Sequence, residues 1–374
     1  MEFKKINLPF KIKRPVLALG SQTKNSVCFA QGKFAYLSQI HPDLNSLKDF
    51  AKFEKTVKYF LKKNPKIIAY DLHPEYQSSK YALQLSTLNS QLSTIQHHHA
   101  HIASCMAENG LKNQKLIGVV FDGTGLGNDN TLWGAEFFLC DYRDFKRIAH
   151  LKEVPLLGGE RAILEPWRLA AFWLDSLYRD NFLKLDIEFM KKIDKKKWRV
   201  LKNMYLSGFN SPLASSMGRL FDAAASLILA KCKVNFEAEL AMELEETAKR
   251  YRLKAASYDF NVIQKNKEWI LDPTPMFKEI VKDLKTRQDR EKIAYRFHLT
   301  VAWMIKKVCL ILRKATRINK VVLSGGVFQN KILLSLSLDL LSKEGFKVFW
   351  QQELPCSDAG IALGQIAIAN SQYH

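Results

Sequence analysis

Residues 96–101 read QHHHAH and hold four of the chain's nine histidines. STIQ before them reads as the end of a strand, and HHHAHIASCMAENG as a helix stopped by Gly110. On a helix, positions four apart share a face. His97 and His101 have that spacing, the one used by helical metal-binding pairs. A lone histidine there would more often be a hydrogen-bonded core residue; a pair opening a helix beside a strand end favours ligation. Two imidazoles need a third ligand to hold a metal tightly. Cys105 continues the stripe one turn further, deep along the helix. Asp122 and Asp358 each stand where a strand or loop passes into a new element, and such positions gather at one edge of an α/β sheet. All three are candidates, and imidazoles with carboxylates suit zinc, iron or manganese. His98 and His99 point elsewhere and are assigned to packing or to support of the ligands.

Three further stretches could touch a ligand. FDGTGLG (121–127) sets a carboxylate at a strand end before alternating glycines. Gly123 and Gly125 would let backbone N–H groups approach an anion, Thr124 adds a hydroxyl, and Asp122 can hold a cation. The same residues also suit a simple hairpin turn. They form neither a Walker A loop nor a dinucleotide fingerprint. VVLSGGVFQN (321–330) runs a buried strand into Ser324-Gly325-Gly326 and a helix start. That places close-approach glycines and a helix N-terminus beside a nucleotide, or forms only a tight strand-to-helix connection. In SMGRLFDAAASL (216–227), Gly218 and the alanines suggest close helix packing. Asp222 there either pairs with Arg219 on the surface or bonds a ligand hydroxyl such as a ribose.

The elements that must position these residues follow a repeated plan. PVLALG, SQTKN and SVCFAQGKFAYLS read as strand, polar turn and strand, with QGK offering a further hairpin turn. LIGVVF, DGTGLGNDN and TLWGAEFFL repeat the pattern from residue 116. Helices and strands alternate after each, starting with the amphipathic KDFAKFEKTVKYFLKK and the strand KIIAYDL. The chain therefore reads as α/β with two related halves, 1–113 and 114–374. A mostly helical insertion occupies about 160–260 of the second half, with helices at EPWRLAAFWLDSLY, SSMGRLFDAAASLILAK and FEAELAMELEETAKRY. A long charged helix from Phe277 follows, with a break expected within it. The chain closes with strand VVLSGG, a helix, strand KVFW and the helix DAGIALGQIAIAN. Two strand–turn–strand openings, a DGTG turn, a later SGG turn and a helical insertion describe two ribonuclease-H-like domains of the sugar kinase/Hsp70/actin type, closing over a nucleotide.

Composition narrows the function classes. The 374 residues carry a net charge of +20, but lysine is scattered along the chain. The densest run, Lys191 to Lys197, is mixed with acids and apolar residues and reads as a wet helix face. An acidic partner or anionic ligand is expected ahead of specific nucleic-acid binding. The six cysteines form no C-x-x-C pair, so no zinc knuckle is encoded, and their apolar settings suit buried, reduced thiols. No long apolar run suggests a membrane span, and the basic N-terminus lacks a signal-peptide core, so a cytoplasmic location is expected.

QHHHAHIAS, FDGTGLG, WGAEF, EPWRLAAF, SSMGRLFDAAASL, AMELE, LSGGVFQN and DAGIALGQ resemble, in order, the C-terminal domain of the HypF hydrogenase maturation carbamoyltransferases. ALGSQTKNSVCFAQGKFAYLSQ and DLHPEY match as well, so the resemblance covers the chain from about residue 14. It extends more distantly to the tRNA threonylcarbamoyladenosine transferase. The resemblance implies that ATP activates carbamoyl phosphate to carbamoyl adenylate. The carbamoyl group then passes to the C-terminal cysteine of a partner, HypE, and becomes a cyanide ligand of [NiFe]-hydrogenase. By motif it implies His97, His101 and Asp358 as metal ligands, with Asp122 at or beside the metal. Magnesium would accompany the nucleotide. Gly123, Thr124, Gly125, Gly218, Gly325 and Gly326 would line it, Asn330 would lie near it, and Asp222 would bond the ribose. His73, Glu165 and Arg168 are further residues of the family pattern, His73 and Arg168 being counted with Asp122 as catalytic candidates. Full-length HypF proteins carry acylphosphatase-like, zinc-finger and YrdC-like domains ahead of this one. The chain has no room for them and reads as either an excised domain or a short homologue that works with separate YrdC-like and acylphosphatase proteins. Two rival readings remain at this stage: a tRNA-modifying carbamoyl transferase, and a nucleotide-binding partner module without catalysis.

Overall fold

The structure is a computed structural model that describes residues 2–87 and 90–373. Strand β1 (Phe3–Ala18) turns through a small pair, β2 (Thr23–Asn25) with β4 (His41–Asp43), to the long antiparallel β3 (Cys28–Ser38). The QGK turn expected inside β3 is instead a bulge: Gly32, at φ +63°, faces Ile12 across a register shift and the strand continues. Helix α1 (Leu47–Leu61) buries Phe53, Val57 and Phe60 against the sheet and delivers β5 (Ile67–Asp71). Helix α2 (Gln77–Gln84) leads on to β6 (Gln91–Ile95). Strands β5 and β6 run parallel to β1, in the order β3-β1-β5-β6. The buried, mostly apolar run of β5, between β1 and β6, is what a central parallel strand covered on both faces requires. Helix α3 (His97–Glu108) then crosses to the second half.

The second half repeats the plan on a larger scale. Strands β7 (Leu116–Leu126), β8 (Leu132–Cys140) and β9 (Phe145–Leu151) form an antiparallel meander. After a short β10 (Val154–Pro155) come α4 (Arg161–Leu164), α5 (Trp167–Tyr178), α6 (Lys195–Leu206), β11 (Leu213–Ser216), α7 (Met217–Leu229) and α8 (Glu239–Lys249). The hairpin β12 (Asn261–Lys265) and β13 (Glu268–Asp272) extends the sheet beyond β9. The long charged helix is two helices, α9 (Thr274–Lys285) and α10 (Arg290–Thr316), separated at Arg287, where φ is +55°. Strands β14 (Lys320–Ser324) and β15 (Lys347–Trp350), joined by α11 (Lys331–Lys343), run parallel to β7 on its other side. The order β9-β8-β7-β14-β15 is a three-stranded meander followed by two parallel crossovers, the ribonuclease-H-like arrangement. The first sheet is the same plan without its third strand, so the expected two-fold α/β architecture is the one present.

The DGTG stretch is not a loop. Strand β7 continues through it to Leu126, with a register shift between Phe121 and Gly125. The turn lies at 127–130, where Asn130 takes φ +63° and Asp129 accepts the Thr131 N–H. Asn and Asp tolerate and stabilise such turns, which moves the reversal a few residues past the glycines.

Helix α3 lies between the two sheets, and His97 to Ala107 are all buried. Its N-cap is Gln96, whose side chain accepts the His99 N–H at 2.8 Å. Helix α12 (Ile361–Gln372) packs along it, with Ile361 to Ser371 buried. One core cluster joins α3 and α12 to Val16, Ala18, Val120, Phe138 and Val322, tying the two sheets together. No described helix is long and apolar enough to cross a membrane.

Candidate metal centre

Four side chains expected as ligands converge. One atom from each of His97, His101, Asp122 and Asp358 lies within 4.8 Å of the others. His97 and His101 come from the first turns of α3, Asp122 from the bulged part of β7, and Asp358 from the loop entering α12. The two imidazole Nε2 atoms sit 3.4 Å each from Asp122 Oδ2, and 3.6 and 3.5 Å from Asp358 Oδ1. Both Nε2 atoms are buried without a hydrogen-bond partner, an arrangement that normally costs stability. A cation accepting two nitrogens and two carboxylate oxygens satisfies all four at once, so the donor set fits a metal. Cys105, the other sequence candidate, is buried two turns along α3 and is not among the four.

Surrounding contacts set the ligands' orientation. Asp71 Oδ2 lies 2.7 Å from His97 Nδ1. A carboxylate only accepts, so Nδ1 donates and Nε2 is presented to the cluster. The other Asp71 oxygen accepts the His73 backbone N–H at 2.9 Å. His73 itself stacks on Tyr76, with ring centroids 4.3 Å apart. Asp122 is divided similarly: Oδ1 accepts the Gly326 N–H at 3.1 Å, leaving Oδ2 for the histidines. This bond joins the DGTG and SGG motifs. A Cβ on Gly325, at φ +101°, would stand 2.8 Å from the Phe121 carbonyl carbon, so β14 reaches β7 only through glycine there. A Cβ on Gly125 would meet His98 Cε1 at 2.7 Å and His97 Cδ2 at 2.9 Å. Gly125 therefore seats the histidine rings. Asp71 was absent from the sequence reading, although DLHPEY drew attention through His73; its position at the end of β5, opposite Ile95 of β6, was the available signal.

The ionisation pattern follows from this packing. Burial works against a charged His97, but Asp71 and Asp358 outweigh it and hold its pKa well above the usual histidine range. Burial likewise opposes a charged His101, and its contacts with Asp122 and Asp358 raise it. Asp122 is the converse: burial raises it, and the two histidines pull it well below the usual carboxylate range. His98 and His99 are held neutral by burial, with His99 lowered to about 4. His99 Nε2 donates to the Asp141 carbonyl at 2.6 Å.

These shifts give a pH dependence for metal uptake. Ligation needs neutral Nε2 atoms, while the surrounding carboxylates favour protonated His97 and His101. Metal must therefore displace protons, and its apparent affinity rises with pH until both raised pKa values are passed. Zinc titrations from about pH 6 upward should show a rise of about tenfold per unit for each proton displaced, flattening once both histidines are neutral. Asp71→Asn, which keeps the shape but weakens the hold on Nδ1, should lower zinc affinity about 10–100-fold with little loss of thermal stability.

The remaining sequence candidates fall into two groups. Gly218 opens α7 directly against β7, where a Cβ would come 3.0 Å from Gly123 Cα. The Ser216 hydroxyl donates to the Gly123 carbonyl there. Thr124 is half-buried on the same strand. Asp222 lies with Arg219 in α7, but the pair is buried rather than on the surface, at 2.8 Å. Burial raises the Asp222 pKa to about 6 against the pull of Arg219. Arg168 and Asn330 have their polar atoms engaged within the fold. Arg168 binds Glu165 at 2.8 and 2.9 Å and donates to the Leu157 carbonyl at 2.9 Å. Glu165 also takes Lys197 at 2.6 Å, so that lysine of the charged run is not merely solvated. Asn330 caps α11 through the Leu333 N–H and donates to His298 Nε2 at 2.9 Å.

Comparison with known proteins agrees with this fold. Residues 118–365 match the family model "Carbamoyltransferase, Kae1-like Domain, second subdomain", and 11–108 match "HypF Kae1-like domain". The chain belongs to the HypF carbamoyltransferase family. It is similar to carbamoyltransferase HypF of Synechocystis sp., 35% identical over 96% of this chain and 48% of that protein. A carbamoyltransferase HypF homolog of Cupriavidus necator is 32% identical over 96% of this chain and 92% of its own length. The fold superposes on a crystal structure of full-length HypF in its phosphate- and nucleotide-bound form. The TM-score is 0.90 and the identity 37%, covering 98% of this chain and 47% of that one. The chain thus spans about half the length of the first HypF relatives it matches, and nearly all of the shorter homolog.

Proposed function

We propose that the chain carries out the carbamoyl-transfer half-reaction of the HypF family, passing a carbamoyl group from carbamoyl adenylate to the C-terminal cysteine thiol of HypE. The observation that carries this reading is the buried cluster of His97, His101, Asp122 and Asp358 at the junction of the two ribonuclease-H-like sheets. A divalent metal held there would supply Lewis acidity toward a carbonyl or phosphoryl oxygen of the donor. The chain's own residues do the rest. Gly123, Gly325 and Gly326 bring backbone close around Asp122, where the donor's phosphate would lie. Asp222, whose buried Oδ2 has no hydrogen-bond partner among the described residues, would take a ribose hydroxyl. In the transfer, a bond forms between the acceptor sulfur and the carbamoyl carbon. The bond from that carbon to the AMP phosphate oxygen breaks, and AMP leaves with the electron pair. The thiol enters as its thiolate, so no cysteine of this chain is needed. Burial keeps Cys28, Cys105, Cys140 and Cys309 as thiols, which fits that economy.

The reading is tested by supplying ready-made carbamoyl adenylate to the metal-loaded chain and following AMP release by chromatography. Release should be slow alone and rise sharply when HypE is added. Equal release with HypE and with a HypE lacking its C-terminal cysteine would refute the thiol acceptor.

A further inference from the structure

Arg219 and Glu237 sit beside the metal cluster without a role in the chemistry described so far. Arg219 follows Gly218 at the start of α7 and is 2% exposed. Its Nη2 donates to Glu237 Oε1 at 3.1 Å. Its Nε is 2.8 Å from Asp222 Oδ2 but lies off the donor direction, and neither Nε nor Nη1 has a hydrogen-bond acceptor. A guanidinium offers five N–H donors in a planar fork suited to carboxylate and phosphate. Here that fork is buried and mostly unused.

Glu237 is different. Its side chain is 55% exposed, in the link between α7 and α8, next to Ala238 at φ +68°. Its Oε1 also lies 2.8 Å from where a Cβ on Gly123 would stand. One carboxylate oxygen therefore occupies the space between the Arg219 fork and the backbone of the residue that follows Asp122. Arg219 is its one hydrogen-bond partner among the described residues. Swinging Glu237 toward solvent breaks that single contact and frees Nη2, beside an Nη1 that already lacks an acceptor.

We propose that Arg219 is an anion receptor facing Gly123, and that Glu237 is a built-in stand-in anion, displaced when a phosphate oxyanion of the ligand arrives. Asp222 holds the guanidinium in place from the other side, so the receptor keeps its orientation when Glu237 leaves. A phosphate presents several oxygens and engages the fork bidentately, where Glu237 offers one. The inference rests on the reading of this site as the seat of a phosphate-bearing donor. The chemistry is shared by a nucleotide phosphate and by free phosphate.

The test is equilibrium titration of the full chain with AMP and, separately, inorganic phosphate, for wild type, Glu237→Gln and Arg219→Lys. Glu237→Gln removes the competing charge from an exposed position and should bind AMP at least about fivefold more tightly. Arg219→Lys loses the planar fork and should bind at least about tenfold more weakly, with a thermal melt to show that it folds. The same pattern with inorganic phosphate identifies a general phosphate site; the pattern with AMP alone identifies a nucleotide phosphate. Unchanged AMP and phosphate affinities in Glu237→Gln, with wild type binding AMP, overturn the receptor while the donor reading stands. Failure of all three proteins to bind AMP overturns both.

Discussion

A His97→Ala, His101→Ala double variant is expected to lose bound metal and to lose carbamoyl transfer by on the order of 10³-fold. The imidazoles supply both nitrogens of the four-atom cluster. Their removal leaves Asp122 and Asp358 facing each other without a counter-charge, and two carboxylates alone do not hold a transition metal tightly. Lewis-acid stabilisation is worth several kcal/mol, and about 4 kcal/mol corresponds to that loss of rate. The metal content of the purified variant, measured by emission spectrometry, and its transfer rate check the two halves separately. Wild-type transfer in a variant without metal would remove the cluster from the chemistry. The contrast with His98 and His99 sharpens the expectation. They share the same run, but Gly125 and Trp133 surround His98, and His99 is spent on the Asp141 carbonyl and the Phe145 ring. Replacing His99 should affect stability and leave metal content alone.

Gly364→Ala is expected to cost more than about 3 kcal/mol of stability, against the gain of about 1 kcal/mol that alanine normally brings to a helix interior. The reversal comes from the contact of α12 with α3. A Cβ at Gly364 would stand 2.7 Å from the Ala100 carbonyl carbon, closer still to its oxygen, and 2.9 Å from the Ser104 amide nitrogen. These are backbone atoms of a fully buried helix and cannot swing aside as a long side chain would. The helices must separate, and α3 carries His97 and His101. The variant should therefore unfold at lower denaturant concentration and also bind zinc more weakly while still folded. Denaturant titration with the same sample's zinc titration checks both. A fully stable variant would show that the two helices have slack between them.

This coupling of site to core explains what could be read from the sequence and what could not. The spacing of His97 and His101 is a local signal, because a helix fixes which residues share a face. Asp122 and Asp358 were legible as carboxylates beside a change of element, although Asp122 stands at a bulge within β7 and not at its end. Among Cys105, Asp122 and Asp358, the cluster takes both carboxylates and leaves the thiol buried. Strand and helix order was also legible, because hydrophobic period and turn residues report on neighbours within a few positions. The two misplaced turns share a cause. Gly32 and the glycines after Asp122 suit turns, but pairing with Ile12 and with Trp133 keeps each strand running as a bulge. Asp71 and Glu237 escaped notice because their meaning is tertiary. Asp71 matters only once β5 and β6 are adjacent, and Glu237 only once the link after α7 folds over Gly123. The Arg219–Asp222 pair shows the same limit: helical spacing gave the pair, and only packing showed it buried.

The central claim, that this chain moves a carbamoyl group onto a partner's thiol, is tested most directly by one mass measurement. Metal-loaded chain, carbamoyl adenylate and HypE are incubated together, and intact HypE is weighed, with its C-terminal peptide then sequenced by fragmentation. The expected result is a single added carbamoyl group on the terminal cysteine, absent when the His97→Ala, His101→Ala variant replaces the wild type. HypE of unchanged mass, with the chain folded, metal-loaded and carbamoyl adenylate still intact, would contradict it.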